Sequence, residues 1–328
     1  MSQPRVAVAG CGRWGRNHVR NHAELGSLAA IVDADPVVAG AEAARYGVPA
    51  RSFDAVLADP AIDGIVFALP PSQNLPLGRR AIEAGKHLFV EKPLALTVAD
   101  GEALCRAAEN AGRVLMVGHI LQYHPAFEAL AELVAQGRLG RLLSLTSTRL
   151  DLGRIRREED ALWALAPHDV SMLLRLAGAA PLAVSARAGR HTHASIADST
   201  TVDLAFPGGM RGEIRVSWLN PFKEQKLVAV GTSAMAVFDD REPWQGKLVV
   251  TPYSLEEHAG AVATGLGEPE RVALTPGEPL RAECSRFLDA IATGRPSSSD
   301  GREALAVLAV LEAASADLAR SGSAPSGA

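Results

Sequence analysis

Cysteine is scarce in this chain of 328 residues. Cys11, Cys105 and Cys284 are neither even in number nor spaced as metal ligands, which excludes a disulfide framework and fits a reducing, cytoplasmic setting. Sustained basic runs are missing too: the formal net charge is −4, so nucleic acid is not an expected partner. No stretch approaches the roughly 20 apolar residues that cross a bilayer. The first residues enter a strand pattern directly, with neither the charged leader nor the apolar core of a signal peptide. No membrane partner is expected. His191-x-His193 has no third ligand nearby, so no metal is expected either. What remains is an ordinary soluble composition, 48% hydrophobic and 21% charged, long enough for two domains with separate cores.

The most informative stretch that is present runs from Arg5 to Gly15, RVAVAGCGRWG. An apolar strand feeds G-x-G-x-x-G, and a helical pattern follows. Gly10 suits the tight turn, Gly12 close backbone approach to a pyrophosphate, and Gly15 tight helix–strand packing. The helix opening there presents N–H groups and a positive dipole end to phosphates. Arg13 and Trp14 share the loop. A second apolar run, Leu28–Val32, ends in Asp33, eighteen residues beyond Gly15. An acid at that distance reaches the adenosine ribose hydroxyls. It also repels a 2′-phosphate, and no Arg or Lys occupies position 34 or 35. The expected cofactor is NAD rather than NADP, although Arg13 and Arg16 are close enough in sequence to reach around.

Residues 1–120 alternate strand and helix signals, as βαβ units do. Strands are expected at 5–9, 28–32, 65–69, 87–90 and 114–117, with helices at 36–46, 75–84 and 98–111 between them. This predicts an α/β, doubly wound parallel sheet of the Rossmann type, with ligands beyond the carboxyl ends of its strands. Residues 121–328 read as an α+β domain for substrate binding and oligomerisation, with an open, mostly antiparallel sheet. Its strands are expected at 142–150, 182–187, 200–206, 212–218, 226–230, 235–238 and 247–250, and its helices at 125–136, 167–176, 281–292 and 301–319. Pro207-Gly208-Gly209 predicts a hairpin. Apolar side chains at Val202, Leu204 and Phe206 suggest a sheet face for a second copy, hence a homodimer or homotetramer.

Glu91-Lys92-Pro93 follows the strand 87–90 at its carboxyl end, where a nicotinamide is expected. A lysine there can hydrogen-bond a substrate oxygen and stabilise developing alkoxide charge. Pro93 holds Lys92 extended. Together, Gly10-x-Gly12-x-x-Gly15-Arg16-x-His18, Ala84-Gly85-Lys86-His87 and Glu91-Lys92-Pro93 resemble the glucose–fructose oxidoreductase/inositol dehydrogenase/rhizopine-catabolism (Gfo/Idh/MocA) family. The resemblance implies NAD(P)-dependent oxidation or reduction of sugars, cyclitols or their derivatives. It places Lys92 against substrate and nicotinamide, with Pro70, Asn74 and Glu91 among the cofactor-lining residues.

That family often carries Asp-x-x-x-His on a helix facing the nicotinamide. His168 fits the histidine, but Ala164 stands where the acid is expected. Either His168 works with Lys92 alone, or Asp169 supplies the carboxylate. Pro167 suits a first helical position, which puts both residues in a first turn, where the dipole favours a neutral imidazole. The segment 149–157, RLDLGRIRR, holds four arginines in nine residues. Arg149, Arg154 and Arg156 can clamp a carboxylate or diphosphate, or simply pair with Glu158, Glu159 and Asp160. With Tyr123 near the expected cleft and the segment Glu283-Cys284-x-x-Phe287, this loop resembles the branch acting on nucleotide-linked amino-sugar uronates such as UDP-N-acetylglucosaminuronate. Three other readings stand beside it: a free sugar or cyclitol substrate, a non-catalytic sensor of NAD or sugar, and glycosidic chemistry through transient oxidation.

Overall fold

The computed structural model describes residues 3–153, 155–156, 159–258 and 261–322. The chain divides into two compact units, and they are not separated by a single cut such as the expected 120/121. The first unit runs through Tyr123 and regains Gly277–Leu308; the second is His124–Pro276 with the chain from Ala309 on. The physical reason is a returning helix whose apolar residues complete the first core. Among the described residues, no helix is long and apolar enough to cross a membrane.

The first unit is a five-stranded parallel sheet. Its elements are β1 (Val6–Ala9), α1 (Gly15–Glu24), β2 (Leu28–Val32), α2 (Pro36–Tyr46), α3 (Phe53–Ala58), β3 (Gly64–Phe67), α4 (Asn74–Glu83), β4 (His87–Val90), α5 (Val98–Ala111) and β5 (Leu115–Val117). The strand order is β2-β1-β3-β4-β5, so the order reverses between β1 and β3. Ligands of such sheets collect beyond the strand ends at that reversal. β1, β2 and β3 are buried throughout, which accounts for their unbroken apolar runs. Caps set the helix limits: Asp35 accepts from Val37 and Val38 before α2, and Gly47 ends it at φ +67°. Helix α3 is an element that periodicity did not reveal, since six residues are too few to show a period.

Helix α8 (Pro279–Thr293) belongs to this unit, as does the start of α9 (Gly301–Gly322). Phe287 of α8 meets Phe89 of β4 edge to face, with ring centroids 5.7 Å apart. Gly64 makes the approach possible: a Cβ there would lie 3.1 Å from Ile291 and 3.2 Å from Phe287.

The second unit adds α6 (Pro125–Ala135), β6 (Leu142–Leu150), α7 (Ala161–Ala177), β7 (Ala183–Gly189), β8 (Ser199–Ala205), β9 (Arg211–Ser217), β10 (Glu224–Gly231), β11 (Ala234–Asp239), β12 (Leu248–His258), β13 (Ala261–Leu266) and β14 (Glu270–Arg271). The strands form a mixed sheet ordered β13-β12-β11-β10-β6-β9-β8-β7, with β14 beside β12. The β6–β9 pair is parallel and the other pairs are antiparallel. The β8–β9 hairpin turns at Pro207-Gly208-Gly209 as expected. β12 continues well past residue 250, and β13 and β14 follow it.

Two expectations are corrected here. Helix α7 begins at Ala161, not Pro167, because Asp160 caps it by accepting from the Trp163 N–H at 3.0 Å. Pro167 lies inside the helix and removes one backbone donor. His168 and Asp169 are therefore mid-helix, and the first-turn dipole argument does not apply to them. Val202, Leu204 and Phe206 are at most 2% exposed. They are core of their own unit and offer no face to a second copy.

Candidate active site

The glycine loop joins β1 to α1, and its geometry explains each glycine. Gly10 has φ +90°, and a Cβ there would fall 2.4 Å from the Ala68 carbonyl oxygen. A Cβ on Gly15 would lie 1.8 Å from the Gly10 oxygen, so α1 can start this close to β1 only with glycine. Gly12 is different: a Cβ on it would meet nothing within 4 Å. The loop is open above Gly12, where a pyrophosphate must approach the backbone. The first turn of α1 carries no acidic side chain, so nothing opposes an anion at its positive end. These residues fit a dinucleotide.

Asp33 follows β2 beside this loop. Its Oδ2 accepts the Cys11 N–H at 2.6 Å and its Oδ1 the Asp35 N–H at 2.9 Å. The carboxylate is thus fixed in direction by the loop that it serves. Burial, with Asp33 and Glu42 nearby, pushes the Cys11 thiol up to about 11, so it stays protonated. Arg16, one of the two arginines able to favour a 2′-phosphate, is paired with Glu42 at 2.9 Å. Replacing Asp33 with alanine is expected to raise the KM for NAD about tenfold, the loss of one charged hydrogen bond. The NAD/NADP preference, read from kcat/KM with each, should fall; an unchanged preference would remove Asp33 from ribose recognition.

Beyond β4, the half-buried Lys92 is followed by a cis peptide to Pro93. Asn74, at the start of α4, is 1% exposed and donates from Nδ2 to the Pro93 and Leu94 carbonyls at 3.1 and 3.2 Å. Its amide nitrogen clamps the segment after Lys92, while its buried Oδ1 has no hydrogen-bond partner among the described residues. Pro70 precedes the short turn Pro71–Gln73 that delivers Asn74. Tyr123 is 1% exposed, and its hydroxyl is 2.8 Å from Ser299 Oγ. It is a strut of the first core, which corrects its place among substrate contacts. Burial raises its hydroxyl to about 12.

Behind Lys92 lies a polar cluster that reading for motifs did not reveal. Glu91 Oε1 is 2.6 Å from His18 Nε2 and also accepts from the Trp14 indole N–H. His18 is completely buried, and Cys284 Sγ lies 3.7 Å from its Nδ1. His18, His22 and Cys284 have polar atoms within 4.8 Å of one another. Burial holds the Cys284 thiol well above its usual range, helped by the charges of Glu283 and Glu91, which makes it a poor thiolate. Burial also lowers His22 to about 3, keeping that ring neutral. Within the trio Cys284 is in hydrogen-bond contact with His18, whereas His22 Nδ1 is 2.9 Å from Ser27 Oγ.

Glu283 of α8 is 0% exposed, and neither carboxyl oxygen has a hydrogen-bond partner among the described residues. Burial, then the charge of Glu91, raises it well above the usual carboxyl range. The folded state holds this proton more tightly than the unfolded chain. Its stabilising contribution is therefore full below pH ~4.5 and is lost as pH rises towards the folded pKa. Glu283→Gln should gain stability relative to the native protein as pH rises from about 5 to 8. Thermal melts across that range check it; a constant difference would mean that Glu283 is not held neutral.

In the second unit, Ser147 and Arg149 leave the same face of β6 toward α7. Asp169 accepts from Ser147 Oγ at 2.6 Å, Arg149 Nε at 2.7 Å and an Arg149 Nη at 3.1 Å. The Arg149 side chain is 11% exposed and that of Asp169 1%. Breaking one side of such a buried pair costs about 3–5 kcal/mol. Both residues are thus committed to fixing α7 on β6, and Asp169 is not free to act as the missing carboxylate. Ala164, one helical turn before His168, is buried. Arg156 is ion-paired with Glu159, whereas Arg154 lies outside the described residues. His191 is 2.8 Å from Asp198, and His193 bonds Ser195, so these two histidines have separate partners.

Known proteins have the same parts in the same order. The model of the oxidoreductase family with an NAD-binding Rossmann fold matches residues 4–119, and that of the GFO/IDH/MocA C-terminal domain matches 127–237. UDP-N-acetylglucosamine 3-dehydrogenase of Acidithiobacillus ferrooxidans is 31% identical over 313 residues, 94% of this chain and 95% of its own. Inositol 2-dehydrogenase of Rhizobium meliloti is 28% identical, over 94% and 95% of the two chains. The solved structure of the A. ferrooxidans enzyme superposes with a TM-score of 0.85 at 28% identity, covering 97% of this chain and 99% of that one. The protein belongs to the Gfo/Idh/MocA oxidoreductase family, and its first unit is an NAD-binding Rossmann domain.

Proposed function

We propose that this protein is an NAD-dependent dehydrogenase of a nucleotide-linked N-acetylated amino sugar. The observation that carries the dehydrogenase reading is in the first unit: an open glycine loop, an oriented Asp33 and Lys92 all follow the carboxyl ends of strands in one parallel sheet. Gly10, Gly12, Gly15, Arg13 and Trp14 would hold the pyrophosphate side, and Asp33 the adenosine ribose. When bound, NAD supplies the hydride acceptor. Lys92 holds the substrate oxygen and stabilises its charge as the carbon–hydrogen bond weakens. His168 receives the hydroxyl proton. Ala164 stands one turn before His168 where the family often has an acid, and Asp169 is engaged with Arg149, so the resemblance is not completed at that position.

Two things support the nucleotide-sugar class: Arg154, Arg156 and Arg157 of one short segment, and a relative of 31% identity that oxidises UDP-N-acetylglucosamine at the 3-position by name. The substrate of that relative has no carboxylate, so a diphosphate is the shared anion for Arg154 and Arg156 to recognise. Inositol 2-dehydrogenase, matched along the same length, favours a second reading, a free cyclitol. The pairing of Arg156 with Glu159 fits that reading as well.

Replacing Arg154 and Arg156 together with alanine separates the two. Under the first reading the KM for UDP-N-acetylglucosamine rises at least about tenfold, the loss of a charged contact. Unchanged kinetics with myo-inositol as the better substrate would establish the second. UDP-N-acetylglucosaminuronate in the same assay tells whether a carboxylate adds to the recognition.

A further inference from the structure

The Glu91 carboxylate gathers three N–H groups of its own unit. Oε1 accepts from His18 at 2.6 Å and from the Trp14 indole, and Oε2 accepts the backbone N–H of Lys92 at 3.3 Å. Space for it is provided by Gly118, where a Cβ would lie 2.9 Å from Oε2. The histidine that grips it cannot swing away. His18 is 0% exposed, edge-on to Phe89 at 5.0 Å, stacked on His22 at 6.4 Å and contacted by the Cys284 sulfur at 3.7 Å. A thiol hydrogen donated to Nδ1 puts the imidazole proton on Nε2, facing the carboxylate. In a buried setting, such a charge-assisted bond is strong and directional.

We propose that Glu91 is a positioning residue for Lys92, held by His18 and Trp14, and that it ties the glycine loop to the lysine. The backbone shows how it would act. The Glu91 N–H donates to the Phe67 carbonyl at 2.8 Å, continuing the ladder of β4 one residue further. In extended chain, neighbouring side chains leave on opposite sides. With Glu91 drawn toward α1 and α8, Lys92 must leave on the other side, and its own N–H is taken by the same carboxylate. Trp14 sits in the loop assigned to the pyrophosphate, so a cofactor that orders this loop also tightens the hold on Lys92.

The proposal rests on Lys92 being the residue that acts on substrate, and the test keeps the two apart. The chain has five lysines, Lys86, Lys92, Lys223, Lys226 and Lys247, so the full-length protein labelled with 15N-lysine gives five assignable backbone amide signals. The loss of one signal in Lys92→Met identifies it. In Glu91→Gln, His18→Gln and Trp14→Phe, the Lys92 amide proton should move upfield, while the other four signals hold. In Glu91→Gln, kcat should fall about ten- to hundredfold, the cost of a misplaced reacting group. The dissociation constant for NAD, titrated directly, should rise by less than about tenfold, because the loop loses its tie to Glu91 while the nucleotide keeps its own contacts. Trp14→Phe keeps the ring of a half-exposed side chain, so it stands even if His18→Gln fails to fold. A Lys92 amide unmoved in both Glu91→Gln and Trp14→Phe would overturn the proposal, as would full kcat in Glu91→Gln. Full activity of Lys92→Met would instead overturn the functional reading and leave the amide shifts to decide the positioning.

Discussion

Lys92→Met is expected to lower kcat with the sugar substrate by about 10²–10³-fold, the cost of removing one oriented donor from a developing oxyanion. Methionine keeps the length and apolar stem of the side chain and removes only the ammonium. The residues that orient this segment are backbone and neighbours: Asn74 holds the Pro93 and Leu94 carbonyls, and Glu91 takes the Lys92 N–H. None of these contacts uses the lysine side chain. The dissociation constant for NAD should therefore remain within a few-fold, since the glycine loop and Asp33 are untouched. Two measurements check this: stopped-flow formation of NADH, and titration of the cofactor by fluorescence. A variant that turns over like the native protein would end the assignment of Lys92.

His168→Asn should give the second large effect, a fall in kcat of about 10²–10⁴-fold, the range of general base catalysis. It lies at a half-buried position in the middle of α7, where asparagine costs the helix only about 0.5 kcal/mol. Ser147, Arg149 and Asp169 fix α7 on β6 beneath it. Folding should thus survive while turnover is lost. A further consequence is diagnostic. If His168 is the base, raising the pH should partly restore the variant, as hydroxide takes over proton removal. A variant whose deficit is the same at every pH would assign His168 a binding role.

Much of the fold was legible in the chain, and the reasons are local. β2, α2, β4 and α5 have the limits that their apolar runs and end residues imply: Asp35 and Gly47 bracket α2, and Thr97 and Gly112 bracket α5. Each signal lies within a few residues of the element that it ends. α7 was misjudged because proline at a helix start is a strong local preference, whereas Asp160, seven residues upstream of Pro167, caps the helix earlier. The return of α8 to the first unit has no local signal. Phe287 reads as an ordinary helical apolar residue until Gly64 and Phe89 are seen beside it.

The candidate site divides in the same way. The places of the glycines and Asp33 could be read because they follow from spacing along one βαβ unit. The surroundings of Lys92 could not. Its neighbour Glu91 was expected among cofactor-lining residues, yet it faces His18, seventy-three positions away, and lies close enough to Glu283 to influence its proton. Arg149 and Asp169 looked like a substrate reader and a spare acid, but are partners of each other across twenty residues. Opposite charges separated along a chain carry no sign of being paired. Only the register of β6 against α7 reveals it.

The most direct test of the central claim is a single-turnover experiment. Protein loaded with NAD is mixed with UDP-N-acetylglucosamine deuterated at C3, and the reduced cofactor is analysed by mass spectrometry. The account predicts NADH carrying one deuterium, formed by the native protein and at least about a hundredfold more slowly by Lys92→Met. Demonstrable NAD binding with no reduced cofactor, from this sugar, its uronate or free cyclitols, would contradict it.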